Sequence, residues 1–162
     1  MEINKHSLHK TIETQLSILL TNATNAAIQA YETATHEENK AENKYDTLGL
    51  EASYLAQGQA KRVAQLEADI FSFRKLQIKN YNEDMEIGLG ALVCLHAQKA
   101  TDQYIFISPV SGGVSFQYHD LEIMLITETS PLGKALKSTY LGDDVKMMQN
   151  QNMTHYEIVG LW

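Results

Sequence analysis

The chain has 162 residues, enough for one ordinary domain or two small ones. Hydrophobic residues make up 44% and charged residues 20%, a balance that excludes a disordered chain. Lys plus Arg is 13 and Asp plus Glu is 20, and the resulting net charge of -7 excludes nucleic-acid binding through a general basic footprint.

The opening MEINKHSLHK is polar and has no apolar signal region, and no run approaches the ~18 apolar residues of a membrane span. The expectation is a cytoplasmic protein with no membrane association. Apolar positions then recur at steps of three and four: Leu8, Ile12, Leu16, Leu19, Ala23, Ala26, Ala30 and Ala34. A second series runs Ala52, Ala56, Val63, Leu66, Ile70 and Phe73, and filling its one gap at Gln59 gives regular 4-3 steps, a coiled-coil seam. Between the two series, THEENKAENKYDT (35–47) has almost no large apolar residue. Two amphipathic helices and a polar connector make an antiparallel α-helical coiled-coil hairpin over 1–80. Helices of roughly 28 residues would each span about 42 Å. The seam is alanine-rich toward the tip, so the distal hairpin should be slim.

After Lys79 the period changes. NYNEDMEIGLG (80–90) reads as a polar hinge, and short strand-like runs follow at 91–96, 103–108, 114–118 and 122–127. The only two prolines, Pro109 and Pro131, lie in this half. Gly112-Gly113 supplies a turn between the second and third runs. Ser130-Pro131 starts a short helix over 131–137, with serine as N-cap and proline at the first helical position. Gly142-Asp143-Asp144 and Asn150-Gln151-Asn152 are turns ahead of strands 145–149 and 155–161. The class is therefore α+β: a helical hairpin, a hinge at 81–90, and a small antiparallel β domain with one short helix over 91–162. The single cysteine, Cys94, lies in the apolar run 91–95 and reads as a core thiol; one cysteine gives neither an internal disulfide nor a cysteine-based zinc site. The six histidines are dispersed, with only His6 and His9 close together.

The stretch Ile126-Thr-Glu-Thr-Ser-Pro-Leu-Gly-Lys-Ala-Leu136 resembles the SP-(I/L)-(A/G)-x-AL helix of the GreA/GreB transcription elongation factors. It is followed in the family's order by a GD-x-V turn at Gly142, Asp143 and Val145, and by YEIV at Tyr156–Val159. The resemblance implies an FKBP-like fold for the second half. It also implies RNA polymerase as partner, with the domain docked at the rim of the secondary channel and the hairpin inside it. Nascent RNA and DNA would be met only within the polymerase complex, and the protein would be a monomer. Ser130, Pro131, Leu132 and Gly133 become candidate polymerase-binding residues, with Leu48, Leu50 and Tyr54 at the hairpin end. Such a factor is not an enzyme and has no cofactor of its own. It stimulates the polymerase's cleavage of backtracked transcripts by helping to hold a Mg2+ ion and a water in the polymerase active site.

A second Mg2+ in a phosphodiester site needs hard oxygen ligands. The connector offers Glu37, Glu38, Glu42, Asp46 and Glu51; Glu42, Asp46 and Glu51 are the candidate tip acids, with Asp46 and Glu51 as the candidate shared metal ligands. The family tip reads Gly-Asp-x-x-Glu-Asn-x-x-Tyr; counting back from Tyr54 puts Thr47 at the aspartate and Leu50 at the glutamate. A one-residue shift recovers Asp46, and Glu51 lies one place beyond the glutamate. The alternative is therefore a channel-binding regulator or inhibitor of the polymerase that does not stimulate cleavage. Lys61 and Arg62 are candidate contacts to RNA or the channel wall. Two readings from other classes stand beside these: a prolyl isomerase, which needs an aromatic-lined pocket, and a coiled-coil adaptor.

Overall fold

The computed structural model describes residues 3–36, 47–97, 101–149 and 152–162. Element order is α1 (Lys5–Thr35), α2 (Leu48–Arg74), β1 (Leu92–His96), β2 (Gln103–Ser108), β3 (Ser115–Tyr118), β4 (Leu121–Thr127), α3 (Pro131–Leu136), β5 (Asp144–Gln149) and β6 (Asn152–Leu161). The chain divides into two compact units, Thr14–Phe71 and Met1–Glu13 with Ser72–Trp162. Among the described residues no helix is long and apolar enough to cross a membrane.

The 14–71 unit is a helical pair built on the seam. Leu16, Ala23 and Ala30 of α1 and Ala52, Leu66 and Ile70 of α2 are buried, while Leu19, Ala26, Ala56, Gln59 and Val63 are half-buried between them. Toward the end of the pair the seam positions are Ala23, Ala26, Ala30 and Ala34 on α1 and Ala52 and Ala56 on α2, which lets the helices approach closely. Beside the seam, Asp69 is buried and accepts from the Gln65 amide at 2.6 Å, so its charge is not left without a donor.

The second unit is a six-stranded sheet in the order β3-β4-β2-β1-β6-β5. It is antiparallel except at β2·β4, which runs parallel in register from Tyr104↔Ile123 to Ser108↔Thr127. The Gly112-Gly113 turn forms where the sequence places it, but it is not the loop of a tight hairpin. With Ser111 and Gly113 at positive φ, it carries the chain past one strand width to the edge position of β3. β4 then folds back through the His119-Asp120 turn and fills that gap beside β2. Its Ile123, Leu125 and Ile126 are buried there.

β1 is buried along Leu92–Leu95, with a core on each face. On one face Val93, Leu95, Ile105, Ile107, Val145 and Ile158 pack with Leu136 of α3. Toward the other, the Phe106 ring lies 5.6 Å from His9 of α1 and 6.2 Å from Phe73 of α2. Segment 80–90 joins the first core through Ile87, which is buried and exchanges backbone hydrogen bonds with Ser138 and Thr139. Cys94 is buried, as its apolar surroundings imply.

Among the described residues three polar side chains are buried in this unit, Lys5, His9 and Ser108, and two of them are ionisable. The Lys5 ammonium donates to the carbonyl oxygens of Gly90 and Trp162 and sits 5.2 Å from the Phe106 ring centre. Burial lowers its pKa from 10.5 to about 8. His9 stands between Phe73 and Phe106, and its buried Nε2 has no hydrogen-bond partner among the described residues. Burial, with smaller contributions from the charges of Lys5 and His6, lowers its pKa from 6.5 to about 4.

Candidate polymerase-binding surfaces

Two surfaces carry the residues singled out from the sequence, one in each unit. In the sheet unit, Ser130 caps α3. Its hydroxyl accepts from the Gly133 amide at 3.0 Å and donates to the Thr127 carbonyl at 2.7 Å. Pro131 follows in the first turn, where no amide is needed. The helix exposes Pro131 and Lys134, while Leu132 is half-buried against the core, and Gly133 and Leu136 are buried.

The three sequence motifs meet in this unit. The Gly142 amide, at φ +87, donates to the Ile158 carbonyl at 2.8 Å, and the Ile158 amide donates back to Asp143 at 3.0 Å. The Asp143 carboxylate accepts from the Tyr140 amide at 2.8 Å. Val145, Tyr156 and Ile158 share the core with Leu136. Most motif positions are thus scaffold, and they shape the surface on which Ser130 and Pro131 are displayed. The Ser130→Ala variant should lose about 1 kcal/mol of stability, since it removes the cap from the Gly133 amide. Chemical denaturation measures the loss, and Ser130→Thr, which keeps both the acceptor for Gly133 and the donor to Thr127, should recover most of it.

In the helical unit, Leu50 and Tyr54 are exposed at 56% and 65%, and Leu55 joins them. The side chain of Leu48 lies outside the described residues. Ile28 and Tyr31 of α1 are also exposed, and with Ala27, Ala56 and Ala60 they line an apolar groove of about 550 Å3. Lys61 and Arg62 are exposed on α2.

Glu51 is exposed in the first turn of α2, where a carboxylate complements the helix dipole. Its Oε1 accepts from the Thr47 hydroxyl at 2.8 Å. Glu42 and Asp46, the other acids proposed from the sequence, lie outside the described residues. Among the described residues no three His, Cys, Asp or Glu side chains stand together as a ready metal site. Glu51 is thus a single exposed carboxylate at the start of α2.

No protein-family model and no curated protein matches the sequence. Among solved structures, the chain is similar to the GreA factor homolog 1 (Gfh1) protein of Thermus thermophilus at 19% identity, with 93% of this chain and 94% of that one covered and a TM-score of 0.38. It is similar to Thermus aquaticus Gfh1 at 20% identity, covering 91% and 92%, with a TM-score of 0.39. Prokaryotic transcription elongation factor GreA/GreB from Nitrosomonas europaea is similar at 11% identity, covering 59% and 78%, with a TM-score of 0.34.

Proposed function

We propose that this protein is a Gre-type transcription factor that binds RNA polymerase. The observation that carries the reading is the joining of the three motifs: the Ser130–Leu136 helix, the Gly142-Asp143-x-Val145 turn and the Tyr156–Val159 strand are bonded and packed into one unit. The helical pair with its exposed Leu50, Tyr54 and alanine-lined groove supports the second half of the reading, insertion into the polymerase secondary channel. The sheet unit docks through the α3 surface at Ser130 and Pro131, and Lys61 and Arg62 meet the channel wall or transcript.

The activity follows from what the hairpin end delivers. Glu51 and Asp46 would offer carboxylate oxygens to a second Mg2+ in the polymerase active site and to the attacking water, and that ion would supply Lewis-acid assistance to hydrolysis of a backtracked transcript. A second reading is favoured by Thr47 and Leu50, which stand where the resemblance calls for two acids. In that reading the protein occupies the channel and regulates or inhibits the polymerase without promoting cleavage.

A stalled, backtracked elongation complex given this protein and Mg2+ decides between them. Shortening of the RNA 3′ end supports stimulation, and alanine at Glu42, Asp46 or Glu51 should then abolish it at one position at least. Intact RNA with displacement of a known cleavage factor supports the second reading. Failure to bind the polymerase overturns both.

A further inference from the structure

The end of α2 and the segment that follows it fold around a cleft of about 620 Å3, which lies wholly within the sheet unit. Its walls include Ile78, Leu89 and Tyr81 on the apolar side and Lys75 and Lys79 on the charged side. Small-molecule sites have this size and this make-up, a largely apolar wall with a few placed polar groups.

The apolar wall is uncovered but its backbone is held. Ile78 is 38% exposed and Leu89 37%. Leu89 lies between the buried Ile87 and Gly90, and the Gly90 amide donates to the Ile107 carbonyl at 2.8 Å. The Tyr81 hydroxyl donates to the Leu89 carbonyl at 2.9 Å, which fixes the ring beside that wall. Apolar side chains on an anchored backbone form a preformed surface, so a ligand covering them orders little of the chain.

The charge in the cleft is one-sided. The chain as a whole carries a net charge of -7, yet none of the described residues that line the cleft is acidic. Glu128, whose charge reaches Tyr81, is not among them. The Lys79 ammonium sits 4.6 Å from the centre of the Tyr81 ring. An aromatic face holds a cation in place without neutralising it, so the full positive charge stays available. A cleft lined by charge of one sign over low-dielectric walls focuses the field and draws in ligands of the opposite sign.

We propose that this cleft binds a small organic anion with an apolar body, its anionic group at Lys79 and Lys75 and its body against Ile78, Leu89 and Tyr81. Charge and apolar wall are both needed. An inorganic anion would leave the wall bare, and a neutral apolar molecule would leave the ammonium groups unused.

The test titrates the full chain at low salt with anilinonaphthalene sulfonate, an aromatic anion whose fluorescence rises when water is removed from it. Phenylnaphthylamine, its uncharged counterpart, is titrated in parallel. One equivalent of the sulfonate should bind, more tightly than the amine. Lys79→Ala should weaken the sulfonate by roughly three- to fivefold, the value of an exposed charge contact, and leave the amine unchanged. The Lys75→Ala, Lys79→Ala double variant should weaken the sulfonate further, and Ile78→Ser should weaken both probes. Lys146→Ala, on β5, should bind as the parent does. Decanoate and adenosine monophosphate, added as competitors, distinguish an aliphatic from a flat aromatic body, and at least one should displace the sulfonate. Circular dichroism verifies that these surface variants are folded. Dye seated on the apolar groove of the helical pair would ignore every one of these substitutions. Parental sulfonate affinity in the double variant therefore overturns the inference, as does parental affinity in Ile78→Ser, displacement by neither competitor, or no binding at all. The polymerase is not involved, so failure here leaves the transcriptional reading standing.

Discussion

Gly133→Ala should be the most damaging single-atom change in the molecule. A Cβ at this position would run into the Thr127 carbonyl oxygen and lie 2.9 Å from both the Glu128 Cα and the Thr127 carbonyl carbon. All of these are backbone atoms, so no side chain can swing aside. α3 must move away from the end of β4, and that movement breaks the Ser130 bonds to Thr127 and Gly133 and lifts Leu136 from the core. Overpacking a core typically costs about 1–3 kcal/mol, and a backbone clash belongs at or above the top of that range. A loss of about 3 kcal/mol lowers Tm by roughly 6–12 °C in a chain of this size. Gly160→Ala is the informative comparison, because its Cβ would meet the Trp162 ring, which can rotate. It should cost less. Equal stability of Gly133→Ala and the parent would contradict the packing described for α3. In the proposed reading α3 carries the docking surface, so Gly133→Ala should also weaken polymerase binding under conditions in which it remains folded.

The second large effect is a loss of stability in acid that traces to His9. Its folded pKa of about 4 lies below the 6.5 of a free imidazole, chiefly because burial penalises the charged ring. Between these two values the unfolded chain binds more protons than the folded one, so stability falls as pH drops from 6.5 toward 4. At 1.36 kcal/mol per unit, the shift is worth up to about 3 kcal/mol. The charges facing His9 are those of Lys5 and His6, and both oppose its protonation. Lys5 contributes a separate window. Its folded pKa of about 8 is below its unfolded 10.5, so stability rises as pH increases from 8 to 10.5. Urea denaturation across pH 4–7 measures the first effect. His9→Phe, which keeps an aromatic ring between Phe73 and Phe106, should flatten the acid slope. An unchanged slope in that variant would show that other groups carry the acid sensitivity.

Much of the fold is legible in the sequence, because its signals are local. The 4-3 apolar steps locate the seam residue by residue, down to the half-buried Gln59 that fills its gap. Ser130-Pro131 marks the start of α3 because the cap bond and the missing proline amide are properties of neighbouring residues. The strand runs are found to within a few residues, but their pairing is not. Insertion of β4 beside β2 depends on how far the 109–114 connection carries the chain, and no periodicity encodes that distance. The register step between β1 and β6, which leaves Val159 without a partner on β1, is equally silent in the sequence. Lys5 and His9 look like solvated charges in a polar N-terminus. The available signal was that Lys5 lies three residues before Leu8, in the direction of the seam, and only the sheet beneath it makes that position buried. At the hairpin end, Tyr54 and Leu50 were readable as apolar residues with nothing to cover them, and both are exposed.

In the proposed reading the helical pair enters RNA polymerase while the sheet unit docks outside. Tyr54 is 65% exposed, so a photoreactive phenylalanine analogue can replace it without disturbing the seam. Irradiation of the variant bound to RNA polymerase should cross-link position 54 to segments that line the secondary channel near the active centre, and an excess of the parent protein should suppress the cross-link. Cross-links only to the outer surface of the polymerase, or none despite binding, would contradict the account.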